Sequence, residues 1–160
     1  MLCCVIGVYR PPIRNLPDEE KSFNSCLKSI QEVIGKHPNA DIQIQGDLNF
    51  PYINWHTREI NRSNRTTSEQ NSARNLLTFM EKNLLVQLVN ENTRADKSIL
   101  DILLTNNDQA IHSVTTEKTV LSDHDFVNCA LLYNKLSTTS NHVQSNIEIR
   151  EVRIGQTQHE

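Results

Sequence analysis

The chain of 160 residues is short of several things at once: it has four glycines, five prolines and one tryptophan, and aromatics make up 5%. A chain this poor in glycine and proline is neither collagen-like nor a low-complexity linker. No apolar run approaches the ~18 residues that a membrane span requires. The opening "MLCCVIGVY" has neither the basic flank nor the small-residue cleavage site of a signal peptide. These absences predict a soluble, intracellular protein, nuclear or cytoplasmic, with no membrane partner. Excess positive charge is also missing. A net charge of −3 and a pI near 6.1 carry no global footprint for nucleic acid, so any such contact must be local. The four cysteines, Cys3, Cys4, Cys26 and Cys129, lack CxxC spacing and the density of a disulfide scaffold, which predicts reduced thiols filling a core. Asn61 and Asn64 each begin a glycosylation tripeptide, a pattern frequent by chance and relevant only in a secreted chain.

What is present is enough for one domain. The apolar fraction of 37% is lower than the ~45 to 50% of ordinary globular chains. The shortfall falls between residues 56 and 72 and after residue 134, which places a domain at 1–134 and a polar tail at 135–160, disordered or contributing one edge strand at "NIEIREVRI". Residues 2–9 are β-favouring and apolar on both faces, as in a strand covered on both sides, and "RPP" ends it. The chain thus opens directly on a strand, as though inside a domain. Phe23, Leu27, Ile30, Val33 and Ile34 recur at helical spacing and predict a helix over 19–36. Residues 41–46 alternate as a strand, Gly46 permits the turn after it, 53–72 reads as a long loop, and 72–83 as a second helix with Ser72 near its start. Further strands are expected at 84–89, 99–104, 110–116 and 126–133. The order predicts an α/β or α+β fold with a mixed sheet covered by helices.

Three places interrupt this pattern with groups costly to bury. Asp47 and Asn49, two apart, leave one face of an extended backbone; they form either an Asx turn or part of a site. Asp101 sits inside "SILDILLTN", where a carboxylate needs a partner, a proton or an exposed rim. "LSDHDF" sets Asp123, His124 and Asp125 between two strands, either as a polar turn or as a cation ligand beside a proton-handling imidazole whose tautomer Asp101 fixes. Gathered at one rim, these groups suit metal-assisted hydrolysis. His37, His56, His112, His142 and His159 have no such acidic setting and are expected at the surface. Arg58, Arg62 and Arg65 lie in the long loop near Trp55, either as contacts to phosphates and a base or as a solvated loop with Trp55 plugged into the core.

"VYRPP", "GDLNFPYINW", "SILDILLTN" and "LSDHDFV", in this order across residues 5–133, resemble the endonuclease/exonuclease/phosphatase superfamily, the fold of DNase I and the apurinic/apyrimidinic endonucleases. More narrowly they resemble the endonuclease domain of LINE-type (non-LTR) retrotransposons, which precedes a reverse transcriptase. The resemblance implies a DNase I-like four-layered α/β sandwich with mixed, largely antiparallel sheets, here in part, and a Mg²⁺- or Mn²⁺-dependent DNA endonuclease. By the same resemblance Asp47 polarises the attacking water, Asn49 orients water and phosphate, and His124 contacts the phosphate or acts as base with Asp101 orienting it. Asp123 corresponds to a metal ligand and Tyr9 to the tyrosine that steadies the phosphate and leaving group; Arg10, next to Tyr9, is a further candidate contact to nucleic acid, as are Trp55, Arg58, Arg62 and Arg65. Pro12 stands where many relatives carry Asn. The family's first half, with an early Asn and the metal-binding Glu, is expected to be missing before Met1, which implies exposed apolar sheet surface and weak or no cleavage. The alternatives are a catalytically inactive binding module and a small-molecule phosphatase of the same fold. DNA is the expected partner, with the reverse transcriptase domain of a longer polyprotein as a second.

Overall fold

Helical periodicity, capping and strand alternation together set up the layers that carry the site. The computed structural model describes residues 2–12, 18–94, 97–120, 122–139 and 142–154, with side chains described as far as Leu132. Strand β1 (Cys3–Gly7) leads to helix α1 (Glu19–Lys36), which has two acids in its first turn and Lys36 in its last, each favourable to the helix dipole. Phe23, Leu27 and Ile30 form its buried stripe. Strand β2 (Asp41–Asp47) then returns parallel to β1, the crossover that parallel pairing requires.

The predicted loop after Asn49 is more structured than expected. It holds a small hairpin, β3 (Ile53–Asn54) with β4 (Glu59–Ile60), and then the start of helix α2 (Thr67–Lys82). That helix begins five residues before Ser72. Its start is set by a capping box: the Thr66 side chain accepts from the Glu69 N–H while Glu69 reaches back to the Thr66 N–H. Ser72 is consequently mid-helix and fully buried, donating to Glu19.

Two short-range surprises concern the later strands. Strand β5 is only Val86–Gln87, while β6 (Asp101–Thr105) is buried along its whole length. Strands β1, β2, β6 and β5 form one sheet in that order, with β6 antiparallel to both neighbours. A 3₁₀ turn (Asp108–Ala110) leads to β7 (Ile111–Glu117), β8 (Phe126–Thr139) and β9 (His142–Ile154), an antiparallel second sheet. The "NIEIREVRI" patch lies within β9, paired along β8.

Alternation on β6 divides the core in two. Ile102 and Leu104 join Ile42, Ile44, Phe50 and the helical residues Phe23, Leu76 and Met80, whereas Leu103 packs with Val89, Val127 and Cys129 of the second sheet. The result is an α/β sandwich: helices, the mixed sheet, then the antiparallel sheet. Asp101 shares the face of Leu103, so it points to the side of the second sheet. Burial raises the Cys129 thiol pKa to about 11. All four cysteines are free, but Cys3 is exposed rather than core-filling.

Strand β1 corrects another expectation. It is not covered on both sides: Cys3, Val5 and Gly7 are exposed, Val5 at 51%, because the second sheet packs against β6 and the segment around Val89 rather than across the β1 edge. Gly46 also has a different reason from a simple turn. It lies inside β2 at φ 137°, and a Cβ there would sit 2.0 Å from the Val8 carbonyl oxygen, so the close approach of the chain beyond β1 demands glycine.

Candidate active site

The polar groups that interrupted the apolar pattern meet at one end of the mixed sheet. Asp47, the last residue of β2, is the register partner of Asp101, the first residue of β6. The chain beside Asp47 is pinned by the Val8 N–H donating to Gln45 O and the Arg10 N–H to Asp47 O, each at 2.8 Å, which brings Tyr9, 44% exposed, to the same rim.

His124 enters from the loop before β8. Its Nδ1 lies 2.8 Å from Asp101 Oδ2, and its Nε2 lies 4.0 Å from Asp47 Oδ2. With Nδ1–H donated to Asp101, Nε2 faces Asp47 across a gap too long for a direct hydrogen bond. One small oxygen beside that line can lie within hydrogen-bond reach of both. The loop is held by the His124 N–H on Ser122 Oγ, by a backbone bridge to Arg94, and by the Asp125 N–H on Thr93 O. Thr93, fully buried, accepts from the Leu100 and Asp101 N–H groups through its hydroxyl.

The Asp47–Asn49 pair forms the Asx turn and leaves one carboxylate oxygen facing His124. Asp47 Oδ1 accepts the Asn49 backbone N–H at 2.9 Å, an Asx turn, while Oδ2 accepts the Asn49 side-chain amide at 2.9 Å and faces His124. The second amide N–H of Asn49 goes to Arg10 O, so this amide orients the carboxylate. Asn49 adopts a positive φ of 47°, which Asn tolerates better than most residues.

The electrostatics pull in a consistent direction. Burial and the nearby Asp101 push the Asp47 carboxyl above its usual range, against the hydrogen bonds from Asn49 and the attraction of His124. The hydrogen bond to Asp101 raises His124, with Asp101, Asp47 and Asp123 adding to it and burial opposing. The site therefore favours an imidazolium between two acids.

Arg10 is a correction. It is 4% exposed, donates from Nε and Nη2 to Glu19 Oε1 at 2.9 and 2.6 Å, and gives Nη1 to the carbonyls of Leu48 and Asn49. Its guanidinium also lies 4.0 Å over the Phe50 ring. It braces the turn bearing Asp47 and Asn49 from inside instead of meeting nucleic acid. Trp55 is half-buried against the helical core and donates Nε1–H to Ile99 O at 3.1 Å. Arg65 lies over Tyr52 and pairs with Glu69. Arg58 and Arg62 are exposed and line a groove below the hairpin.

The expected metal ligand Asp123 is 64% exposed and paired with Arg94 Nη2 at 2.9 Å. Among the described residues no group of three or more His, Cys, Asp or Glu side chains is spaced to hold a metal ion. Sequence reading missed Arg10, Glu19, Thr93 and Ser122 as supports. For Arg10 a signal existed, since a basic residue between an apolar strand and two prolines, nine before an acid heading a helix, suits a buried pair; Thr93 had none.

No curated protein matches the chain. A model of the family described as endonuclease-reverse transcriptase, of endonuclease/exonuclease/phosphatase type, matches residues 3–128, the span that includes β1, both helices and every group of the cluster. By this match the chain belongs to the endonuclease-reverse transcriptase family, a retrotransposon-related group of nuclease- and phosphatase-type hydrolases.

Proposed function

We propose that the chain is a phosphodiester hydrolase domain that nicks DNA. The observation carrying this reading is the line Asp101, His124, Asp47, with Nε2 held 4.0 Å from a carboxylate whose own orientation is fixed by Asn49. A water beside Asp47 gives up a proton to its carboxylate as the oxygen attacks phosphorus and the P–O3′ bond breaks. The departing oxygen takes a proton from solvent. The His124 imidazolium, held by Asp101, donates Nε2–H to a non-bridging phosphate oxygen, where negative charge builds up. The 3′-hydroxyl left by such a nick is the end that a reverse transcriptase extends, which ties this reading to the family's association with that enzyme. Divalent-metal dependence belongs to the proposal as a requirement to be measured.

Nicking of supercoiled plasmid, with Mg²⁺ or with chelator, tests the reading. The parent chain is expected to nick with Mg²⁺, and Asp47→Asn or His124→Gln to lower the rate by about 10²- to 10⁴-fold, the usual contribution of an acid or base. Equal nicking by parent and both variants overturns it. A second reading, DNA binding without cleavage, is favoured by the Arg94–Asp123 pair, which engages the expected metal ligand. Binding by the parent with no nicking at any Mg²⁺ or Mn²⁺ concentration selects that reading.

A further inference from the structure

The groove beneath the β3–β4 hairpin begins where the catalytic cluster ends. One wall starts at Pro51, two residues after Asn49; the other includes Ser98 and Ile99, just before Asp101. The two walls are joined by Trp55 Nε1 donating to Ile99 O, and the segment carrying Ser98 is bridged through Arg94 to His124. The groove encloses about 1030 Å³, and Arg58, Arg62, Arg74 and Lys97, all exposed, lie along it, with Glu59 the one carboxylate among the described lining residues. This local excess of positive charge stands out in a chain of net charge −3. Arg58 adds a second kind of observation. It closes the hairpin turn at φ 58°, a left-handed conformation in which glycine is unstrained, so a cation occupies a position whose backbone disfavours it.

We propose that this groove holds the phosphodiester backbone of the DNA strand flanking the scissile bond, through Arg58, Arg62, Arg74 and Lys97. The inference rests on the hydrolase reading for the location of the scissile phosphate, and on the groove alone for binding. Phosphate contacts of this kind fix register without reading bases, and each releases counterions, so affinity falls steeply with salt.

The test is binding of the full chain to a fluorescein-labelled DNA duplex, by anisotropy in EDTA from 50 to 200 mM salt. Arg58→Gly, Arg62→Gln and Lys97→Gln combined is compared with Lys28→Gln and Lys36→Gln on α1. The triple variant is expected to bind at least ~10-fold more weakly, with a salt slope smaller by about 2 to 3, while the α1 variant matches the parent. Circular dichroism melting controls for folding, and Arg58→Gly is expected to keep the melting temperature because glycine suits that backbone. A triple variant that binds like the parent, an equal loss in the α1 variant, or no binding by the parent overturns the groove. If the parent binds through these residues but never nicks plasmid, hydrolysis fails and the groove stands; if nicking needs His124 while the triple variant binds and nicks normally, the reverse holds.

Discussion

Asp47 and Asp101 stand opposite each other across the β2–β6 ladder, two acids in register at the end of a buried strand pair. Like charges so placed repel, and His124, reaching both, is the group that relieves them.

Stability is therefore expected to depend on pH through this histidine. Its folded pKa is raised above the usual 6.5, so its contribution is fully present below about pH 6.5 and is lost as pH rises through the folded value. The raised Asp47 carboxyl acts in the same direction at lower pH, its contribution present below the unfolded value of 3.8 and lost above the folded one. Urea unfolding at pH 6 and pH 8.5 should show the parent losing more stability across that interval than His124→Gln. A steeper loss in the variant contradicts the assignment.

In the proposed mechanism Asp101 acts through His124, as a positioning residue. Removing its charge in Asp101→Asn takes away the largest cause of the raised histidine pKa. The alkaline limb of the pH–rate profile for nicking should move to lower pH, and kcat should fall about 10- to 100-fold. An unmoved limb with reduced rate points to a purely structural role.

Two glycines offer a contrast that needs no activity. Gly46→Ala forces a Cβ to within 2.0 Å of the Val8 carbonyl oxygen at φ 137°, whereas Gly35→Ala on α1 meets nothing within 4 Å. The first should cost at least ~3 kcal/mol, in the range of severe substitutions, and the second should stabilise by about 0.5 to 1 kcal/mol. Denaturant midpoints measured side by side decide it; similar values for the two variants argue against the close approach of Val8, just beyond β1, to Gly46.

The buried Arg10–Glu19 pair should respond asymmetrically to single and double change. Glu19→Gln leaves Arg10 without its counter-ion and is expected to cost about 3 to 5 kcal/mol. Arg10→Met with Glu19→Leu removes both charges and is expected to cost clearly less in thermal melts. If the double variant is the less stable, the pair contributes net attraction beyond its desolvation.

Most of the element order was legible because apolar spacing is local: α1 runs over the residues its periodicity predicts, and β6 to β8 begin within about two residues of expectation. The start of α2 was legible too, in Thr66-Thr67-Ser68-Glu69, but the polar surroundings masked that cap as loop. The exposure of β1 was not legible in its own composition, which says only that two apolar faces exist, although the resemblance implied exposed apolar sheet surface; the packing of β7–β9 decides which face is covered. For the cluster, strand ends left Asp47, Asn49, Asp101 and His124 open between structural roles and a shared rim, the resemblance implied one site, and the geometry brings those four together. Arg10, Trp55 and Arg65 could not be sorted into surface and interior from type alone, because a cation or indole that finds a buried partner looks in sequence like one facing solvent.

Strand β6 lies between β2 and β5, yet it follows β2 by more than fifty residues. A nascent chain leaving the ribosome exposes Asp47 and Asn49 long before Asp101 exists, and His124 comes later still. Insertion of that one central strand, a non-local and therefore slow event, sets Asp101 beside Asp47 before His124 can join them. Translation products that stop short of His124 should accordingly contain the β1–α1–β2 unit while lacking the imidazole that faces Asp47.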